Sequence, residues 1–429
     1  MTTKEYSSDF LKALEIGRPP NIAKLFPHSR ALIVSGKVID RAMISKGKAV
    51  AMAANGRNYF VIRGVLLAAQ RARAAVIIEI AKSEGGQKAY CGINFWNIAR
   101  TVDALCNELG ITVPVAIHAD HYGIKNDKDL AQAKVEIPTL FEAGMTSIAI
   151  DASHLPDDKN LFSNVALIPF VPRWAGYETE VGEIKGAEGL STVEEALFLI
   201  GGLNARDIFP DWIALNNGTT HGIEEKDSGI QVQLTAEIHN ALSKYKISGA
   251  QHGTSGNSSE RLRQIVQKTA TTKANVATAL QMISWGVQVN DYGNAFLDAN
   301  GNFSKVKGRG VAEDMWQEMA AYAESKGYKK GDYKNLNLPF ENRLLAQPAQ
   351  IRDRTAQGVE EFTFKMITEV LNSRDTASLG IEAILKAGSY DLGPKVSRIE
   401  NPAEWTDSKT AEKAARLNAD KGSTGKHDD

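Results

Sequence analysis

The chain has 429 residues, 43% hydrophobic and 24% charged, an ordinary composition for a globular protein with a large core. Its 50 lysines and arginines balance 51 aspartates and glutamates, for a formal net charge of −1. That balance argues against nucleic acid or another polyanion as the main partner, while leaving room for a local basic pocket. The two cysteines, Cys91 and Cys106, cannot build a disulfide framework and read as free thiols. No apolar stretch follows a basic start and no run approaches the length of a membrane span, so a cytoplasmic protein without a membrane segment is expected.

Residues 1–48 read as a helical lead-in, with LKALEI followed by a loop at Arg18–Pro20. Eight apolar runs then predict strands near residues 49–55, 74–81, 113–120, 147–153, 177–183, 211–217, 247–252 and 273–278. Amphipathic stretches such as 61–73, 95–109 and 259–271 lie between most of them. Alternating β and α units of this length imply parallel strands with crossover helices, and eight of them imply a closed α/β (β/α)8 TIM barrel over residues 49–300. After Leu280 the pattern changes. A turn at Asp298–Gly301 leads into a helical extension over 301–406, including a helix across 348–371 opened by Pro348. Residues 407–429, rich in Lys, Asp, Ala, Ser and Gly, read as a mobile tail.

The stretch with the most chemistry is VPVAIHADH, residues 113–121. Its apolar, β-branched start predicts a buried strand, yet it ends in His118, Asp120 and His121. Alternation puts His118 and Asp120 on one face, with His121 just past the strand's end. Five of the eight histidines (118, 121, 154, 221 and 252) fall at or beyond the carboxyl ends of predicted strands, where this fold builds its active site. A hydrogen-bonded histidine at a strand end accounts for any one of them, but poorly for all five. His121, His221 and His252 come from three different strand ends and can converge on one ion with an open position for substrate, as catalytic zinc requires. His118 and His154 then support the ligands or touch substrate. The run Gly253-Thr-Ser255-Gly256, followed by a helix start near Ser258, offers backbone N–H groups and a hydroxyl suited to phosphate. Asn275-Val-Ala-Thr278 ends the eighth strand beside it. Asp120, Asp151 and Glu188 are carboxylates near these histidines, and Glu188 sits in a glycine-flanked loop that can bring a proton-transfer group to the site.

In order along the chain, HADH, AIDASHLP, EVGEIKG, HG, HGTSG and NVAT resemble the class II, metal-dependent fructose-bisphosphate and tagatose-bisphosphate aldolases. The resemblance covers roughly residues 49–285. It implies a barrel that binds Zn2+ or another divalent metal through His121, His221 and His252, with Glu180 and Asp151 close to it. It implies that Asp120 exchanges a proton at the C4 oxygen and that Glu188 removes one from dihydroxyacetone phosphate during condensation. Asn275, Gly222, Gly253, Ser255 and Thr278 match positions near the substrate and its phosphate, and Asn55 and Ser83 match substrate contacts at the ends of strands one and two. Breaking the C3–C4 bond leaves negative charge on an enediolate, which a metal stabilises, so no lysine Schiff base is needed.

Two positions depart from the family pattern. Ala277 in NVAT is closer to the tagatose branch, and the lysine often found after the HG histidine is replaced by Glu225, with Lys226 next to it. Among the arginines of the extension, Arg354, with Arg352 close behind, is the candidate for a phosphate. The leading expectation is reversible cleavage of fructose 1,6-bisphosphate to dihydroxyacetone phosphate and glyceraldehyde 3-phosphate, by a homodimer or homotetramer. The nearest alternative is tagatose 1,6-bisphosphate. A metal-dependent barrel hydrolase fits less well, since it would carry its histidine motif on the first strand. A noncatalytic partner subunit would be expected to have lost ligands that this chain keeps.

Overall fold

The computed structural model describes residues 6–182, 189–218, 229–290, 293–298 and 301–420. Eight strands run in parallel: β1 Ala51–Asn55, β2 Val76–Ala81, β3 Val115–Gly123, β4 Ser147–Asp151, β5 Gly176–Val181, β6 Trp212–Leu215, β7 Ser248–Gln251 and β8 Thr271–Val276. They pair in chain order, and β8 closes onto β1. The predicted (β/α)8 barrel is therefore the observed one. Crossover helices cover its outside, with starts fixed by local chemistry. Asn58 caps Tyr59–Ala72 by accepting from the N–H groups of Phe60 and Val61, and Thr192 and Glu195 form a reciprocal capping box on Val193–Asn204.

Strand alternation divides each strand between two environments. On β1, Met52 and Ala54 join the apolar layer under the helices, while Ala51 and Ala53 join a second cluster with Ile77, Ala116, Trp212, Ala214 and Ala250. That second cluster fills the amino-terminal half of the barrel. Above it the interior turns polar: Glu79, His118, Glu178 and Lys273 are fully buried. The helix Gly36–Lys46 packs against β1, β2, β3, β5 and β8 and plugs the amino-terminal end. Gly36 is required there, since a Cβ would lie 2.7 Å from Ser147 Oγ and 3.1 Å from Trp212.

After β8, the bridges Val287–Lys305, Val289–Ala295 and Leu297–Phe303 form a small antiparallel excursion. With Trp285, Met319 and Phe340 it builds a separate apolar cluster. The predicted closing helix is Ala349–Lys365, with Pro348 at its N-cap, packed on Tyr59–Ala72. The segment after the helix Thr376–Ala387 crosses back over the amino-terminal end. One expectation is corrected here: Asp407–Asp420 is a helix, with Thr410 and Ala414 buried. Its composition is that of a tail, but Trp405 is set against Gly201 and Gly202, and Arg206 donates to the Trp405 carbonyl at 2.8 Å. Both cysteines are buried free thiols, and among the described residues no helix is long and apolar enough to cross a membrane.

Candidate active site

Among the predicted site residues, Asn55, Asp120, His121, Asp151, Glu180, His252 and Asn275 lie together at the carboxyl-terminal mouth, and the device that joins two of them is a bulge in β3. Between Ala119 and Tyr122, β3 carries one more residue than its partner β4. His121 adopts a left-handed backbone with φ 42°, a conformation costly for a branched or bulky residue unless its surroundings impose it. The bulge lets Asp120 and His121 both face the site, although strict alternation would send them to opposite sides. The sequence reading ended this strand at Asp120; it continues to Gly123.

His121 Nδ1 lies 3.1 Å from Glu180 Oε1 and 3.4 Å from Asp151 Oδ2. Burial disfavours its charge, but Glu180 and Asp120 outweigh that and hold the imidazole well above its ordinary value. The ring centroid of His252 is 4.2 Å from that of His121. His252 Nε2 is 2.7 Å from Glu178 Oε1. An ionised carboxylate only accepts, so Nε2 carries a proton and Nδ1 is the nitrogen left to offer a metal. That Nδ1 is buried without a hydrogen-bond partner, 3.8 Å from Glu180 Oε1.

Asp120 is buried, and both of its oxygens accept side-chain amides: Asn275 Nδ2 at 2.8 Å and Asn55 Nδ2 at 3.3 Å. Burial tends to raise its pKa, yet His121, Lys273 and His252 together hold it well below the usual carboxylate range. Asp151 is fixed from the other side, accepting from the Ser153 hydroxyl at 2.6 Å.

Beneath these residues lies a buried ionic layer that the sequence reading missed. Lys273 Nζ is 2.9 Å from Glu178 Oε2 and 3.2 Å from Glu79 Oε2. Burial, reinforced by Asp120, raises the Glu79 carboxyl well above its ordinary value. His118 donates through Nδ1 to Ser147 Oγ at 2.7 Å, since that hydroxyl's own proton goes to the Gly176 carbonyl. Burial, with Lys273 nearby, pushes the His118 imidazole down to about 3, so it is neutral. The available signal was a charged residue at every second position of a strand, as in Glu178-Thr-Glu180, and a lysine inside the fully buried eighth strand.

Arg57, just past β1, is a second omission. It is buried, pairs with Glu84 at 2.6 Å, and reaches Gln281 Oε1 at 3.2 Å and Thr278 Oγ1 at 3.4 Å. Arg354 lies elsewhere: its guanidinium donates to the carbonyls of Gly310 and Val311. Ser83 and His154 are exposed, and beside Ser83 it is Glu84 that is buried and accepts from Asn55 at 2.8 Å. Gly253, with φ 60°, and Ser255 precede the helix Ser259–Lys268, which is capped by Ser258. Glu188, His221, Gly222 and Lys226 lie outside the described residues.

The donor set suits a divalent ion. His121, Asp151 and Glu180 form one group able to hold a metal, Asp120, His121 and His252 a second, and Glu178, Glu180 and His252 a third. Imidazole and carboxylate are the nitrogen and oxygen donors of a zinc-type centre. His252 Nδ1, buried without a hydrogen-bond partner, is one such atom, and Glu180 Oε1, 3.1 Å from His121 Nδ1 and 3.8 Å from His252 Nδ1, is another within reach of both imidazoles.

The model of the family described as fructose-bisphosphate aldolase class-II matches residues 37–328. A fructose-bisphosphate aldolase of Mycoplasma pneumoniae is 31% identical over 196 residues, covering 44% of this chain and 61% of that protein. The match therefore spans about three fifths of that relative's length. A sulfofructosephosphate aldolase of Alkalicoccus urumqiensis is 28% identical over 217 residues, covering 49% of this chain and 70% of that protein. Among solved structures, the YdjI aldolase of Escherichia coli K12 aligns with a TM-score of 0.52 and 17% identity, over 80% of this chain and 99% of its own. At that identity the likeness concerns the fold alone.

Proposed function

Since the chain belongs to the class II fructose-bisphosphate aldolase family, we propose that it reversibly cleaves fructose 1,6-bisphosphate to dihydroxyacetone phosphate and glyceraldehyde 3-phosphate with zinc as its metal. The observation that carries this reading is the pairing at the mouth. His121, Asp151 and Glu180 form a group able to hold a metal, His252 and Glu180 belong to an adjoining one, and beside them stands a carboxylate, Asp120, that two amides orient.

When bound, a divalent ion supplies a Lewis acid for the negative charge left by bond cleavage. His121, His252 and His221 would hold it, with Glu180 and Asp151 alongside. The remaining work falls to protein groups. Asp120 takes the proton of the C4 hydroxyl as the C3–C4 bond breaks and C4 becomes an aldehyde. The bonding pair stays with the C3 fragment, which gains a proton from Glu188 to become dihydroxyacetone phosphate. Asn55 and Asn275 keep Asp120 aimed through both steps. Gly253, Ser255 and Thr278 hold phosphate, and Arg57 lends positive charge at Thr278.

A second reading changes the configuration at C4. Ala277 and the IDASHLP motif favour tagatose 1,6-bisphosphate. The deciding experiment measures cleavage of both sugars side by side, each with and without EDTA. Chelator-sensitive cleavage favouring fructose supports the leading reading, and the reverse preference supports tagatose. Full activity after complete metal removal overturns the mechanism.

A further inference from the structure

A cavity of about 600 Å3 opens at the amino-terminal end of the barrel, opposite the mouth. It lies where β7 and β8 begin, between the end of helix Gly36–Lys46 and the helix Val232–Ala241. Its volume is that of a small-molecule site. Four cationic side chains line it, Arg41, Lys48, Lys246 and Lys395, and no carboxylate does among its described lining residues. Two of the four are neutralised from behind. Lys395 pairs with buried Asp40 at 2.7 Å, and Arg41 lies 3.0 Å from Asp40 and 3.6 Å from Asp211. The surplus charge is that of Lys48 and Lys246. Both are exposed, both sit on left-handed backbone (φ 49° and 51°), and neither forms an ion pair among the described residues.

The rest of the lining combines apolar wall, the hydroxyls and amide of Ser243, Ser248, Thr269, Thr271, Thr272 and Asn240, and a histidine. Met43, Ile44 and Ile247 provide apolar wall. His239, 6% exposed, accepts the Ala270 N–H at Nδ1 at 3.2 Å, so Nε2 carries the proton. Nε2 is buried with no hydrogen-bond partner. The ring occupies the space that a Cβ on Gly249 would need, so it is locked in place beside the cavity.

We infer that this cavity is a second ligand site, separate from the mouth, which takes a small molecule carrying a multiply charged phosphate group on an apolar or aromatic body. Lys48 and Lys246 meet the phosphates at the rim, and Ile44, Met43 and Ile247 meet the apolar part. An exposed lysine alone is a weak anion site. Two of them over a concave apolar wall, with no carboxylate among the described lining residues, give a local positive field.

The test is calorimetric titration of the full chain with ADP and with inorganic pyrophosphate, at low salt. Three proteins are compared: wild type, the double variant Lys48→Met/Lys246→Met, and Thr278→Ala as a control for binding at the mouth. ADP should bind wild type and Thr278→Ala alike and bind the double variant at least about tenfold more weakly, on the scale of lost interfacial charge. Pyrophosphate should bind wild type more weakly than ADP. Unchanged aldol cleavage in the double variant shows that it is folded. Absence of ADP binding to wild type, equal binding to the double variant, or loss of binding in Thr278→Ala overturns the site. Equal affinity for ADP and pyrophosphate overturns the role given to the apolar wall.

Discussion

The nitrogen that His252 can offer a metal is decided by Glu178, a residue that need not touch the metal. Because Glu178 Oε1 accepts from Nε2 at 2.7 Å, Nδ1 is the nitrogen left facing Glu180. Lys273 holds the other oxygen of Glu178 at 2.9 Å, so the imidazole is oriented through a chain of two buried ions. Partners of this kind typically contribute 10–100-fold in metal affinity. Glu178→Gln should therefore weaken zinc binding by about 10–100-fold in a chelator-competition titration; unchanged affinity would mean that His252 is oriented by something else. Asp120 makes the complementary prediction. Asp120→Ala should keep its metal but lose about 10²-fold or more in turnover, the scale of general acid–base catalysis. Near-normal turnover in this variant would remove Asp120 from the proton transfer, and loss of metal would make it a ligand instead.

At the scale of elements, the barrel depends on how its first crossover helix meets the C-terminal extension. Tyr59–Ala72 lies against Ala349–Lys365, and Gly64 is where they come closest: a Cβ there would sit 2.5 Å from the Ala356 carbonyl oxygen and 2.6 Å from Val359 Cβ. A backbone carbonyl cannot swing aside as a side-chain end can. Gly64→Val, which brings no helix-propensity gain large enough to compensate, should destabilise the protein by about 1–3 kcal/mol, the usual range for overpacking. A shift in the denaturation midpoint in urea checks this, and an unchanged midpoint would show that the two helices can separate freely. The extension was legible only as helix and charge, because nothing in a single sequence says which helix a distant one will pack on. Strands such as Val76–Ala81 and Ser147–Asp151 were legible because each is a largely apolar run framed by helix-like or turn-like stretches. The bulge in β3 was not: HADH reads as simple alternation, and the extra residue shows only when β4 supplies the register. Glu79 and Lys273 were passed over for a related reason. Each is the one charge in its strand, and only closure of the barrel brings the two to 3.2 Å.

Across the whole molecule, the two ends of the barrel are built on opposite electrostatic plans. At the mouth, buried charges lie around a position suited to an ion. At the amino-terminal end they neutralise one another, and the chain's distant parts supply the partners. Asp40, on the plug helix, accepts Thr272 Oγ1 at 2.7 Å and Lys395 Nζ at 2.7 Å. Lys395 also donates to the Asp211 carbonyl and Ser248 Oγ, so one side chain from the returning C-terminal segment ties the plug to β7 and to the entry of β6. Burial alone would raise the Asp40 pKa, but Lys395 and Arg41 outweigh it and leave the carboxyl below its ordinary value. A carboxyl whose folded pKa is depressed adds stability that is fully present above its unfolded value, about 3.9, and is lost as pH falls through the folded one. Lys395→Met leaves Asp40 buried with Arg41 as its remaining cation, and breaking a buried pair costs about 3 kcal/mol or more. The variant should therefore be less stable than wild type by about that amount at neutral pH. The gap should narrow at acid pH, as pH falls through an Asp40 pKa that lies below its ordinary value in wild type, because a neutral Asp40 no longer needs the lysine. Urea denaturation of both proteins between neutral pH and about pH 3 measures it. A gap that stayed constant with pH would mean that Lys395 stabilises the barrel by packing and by its bonds to Asp211 and Ser248, with its charge on Asp40 contributing nothing.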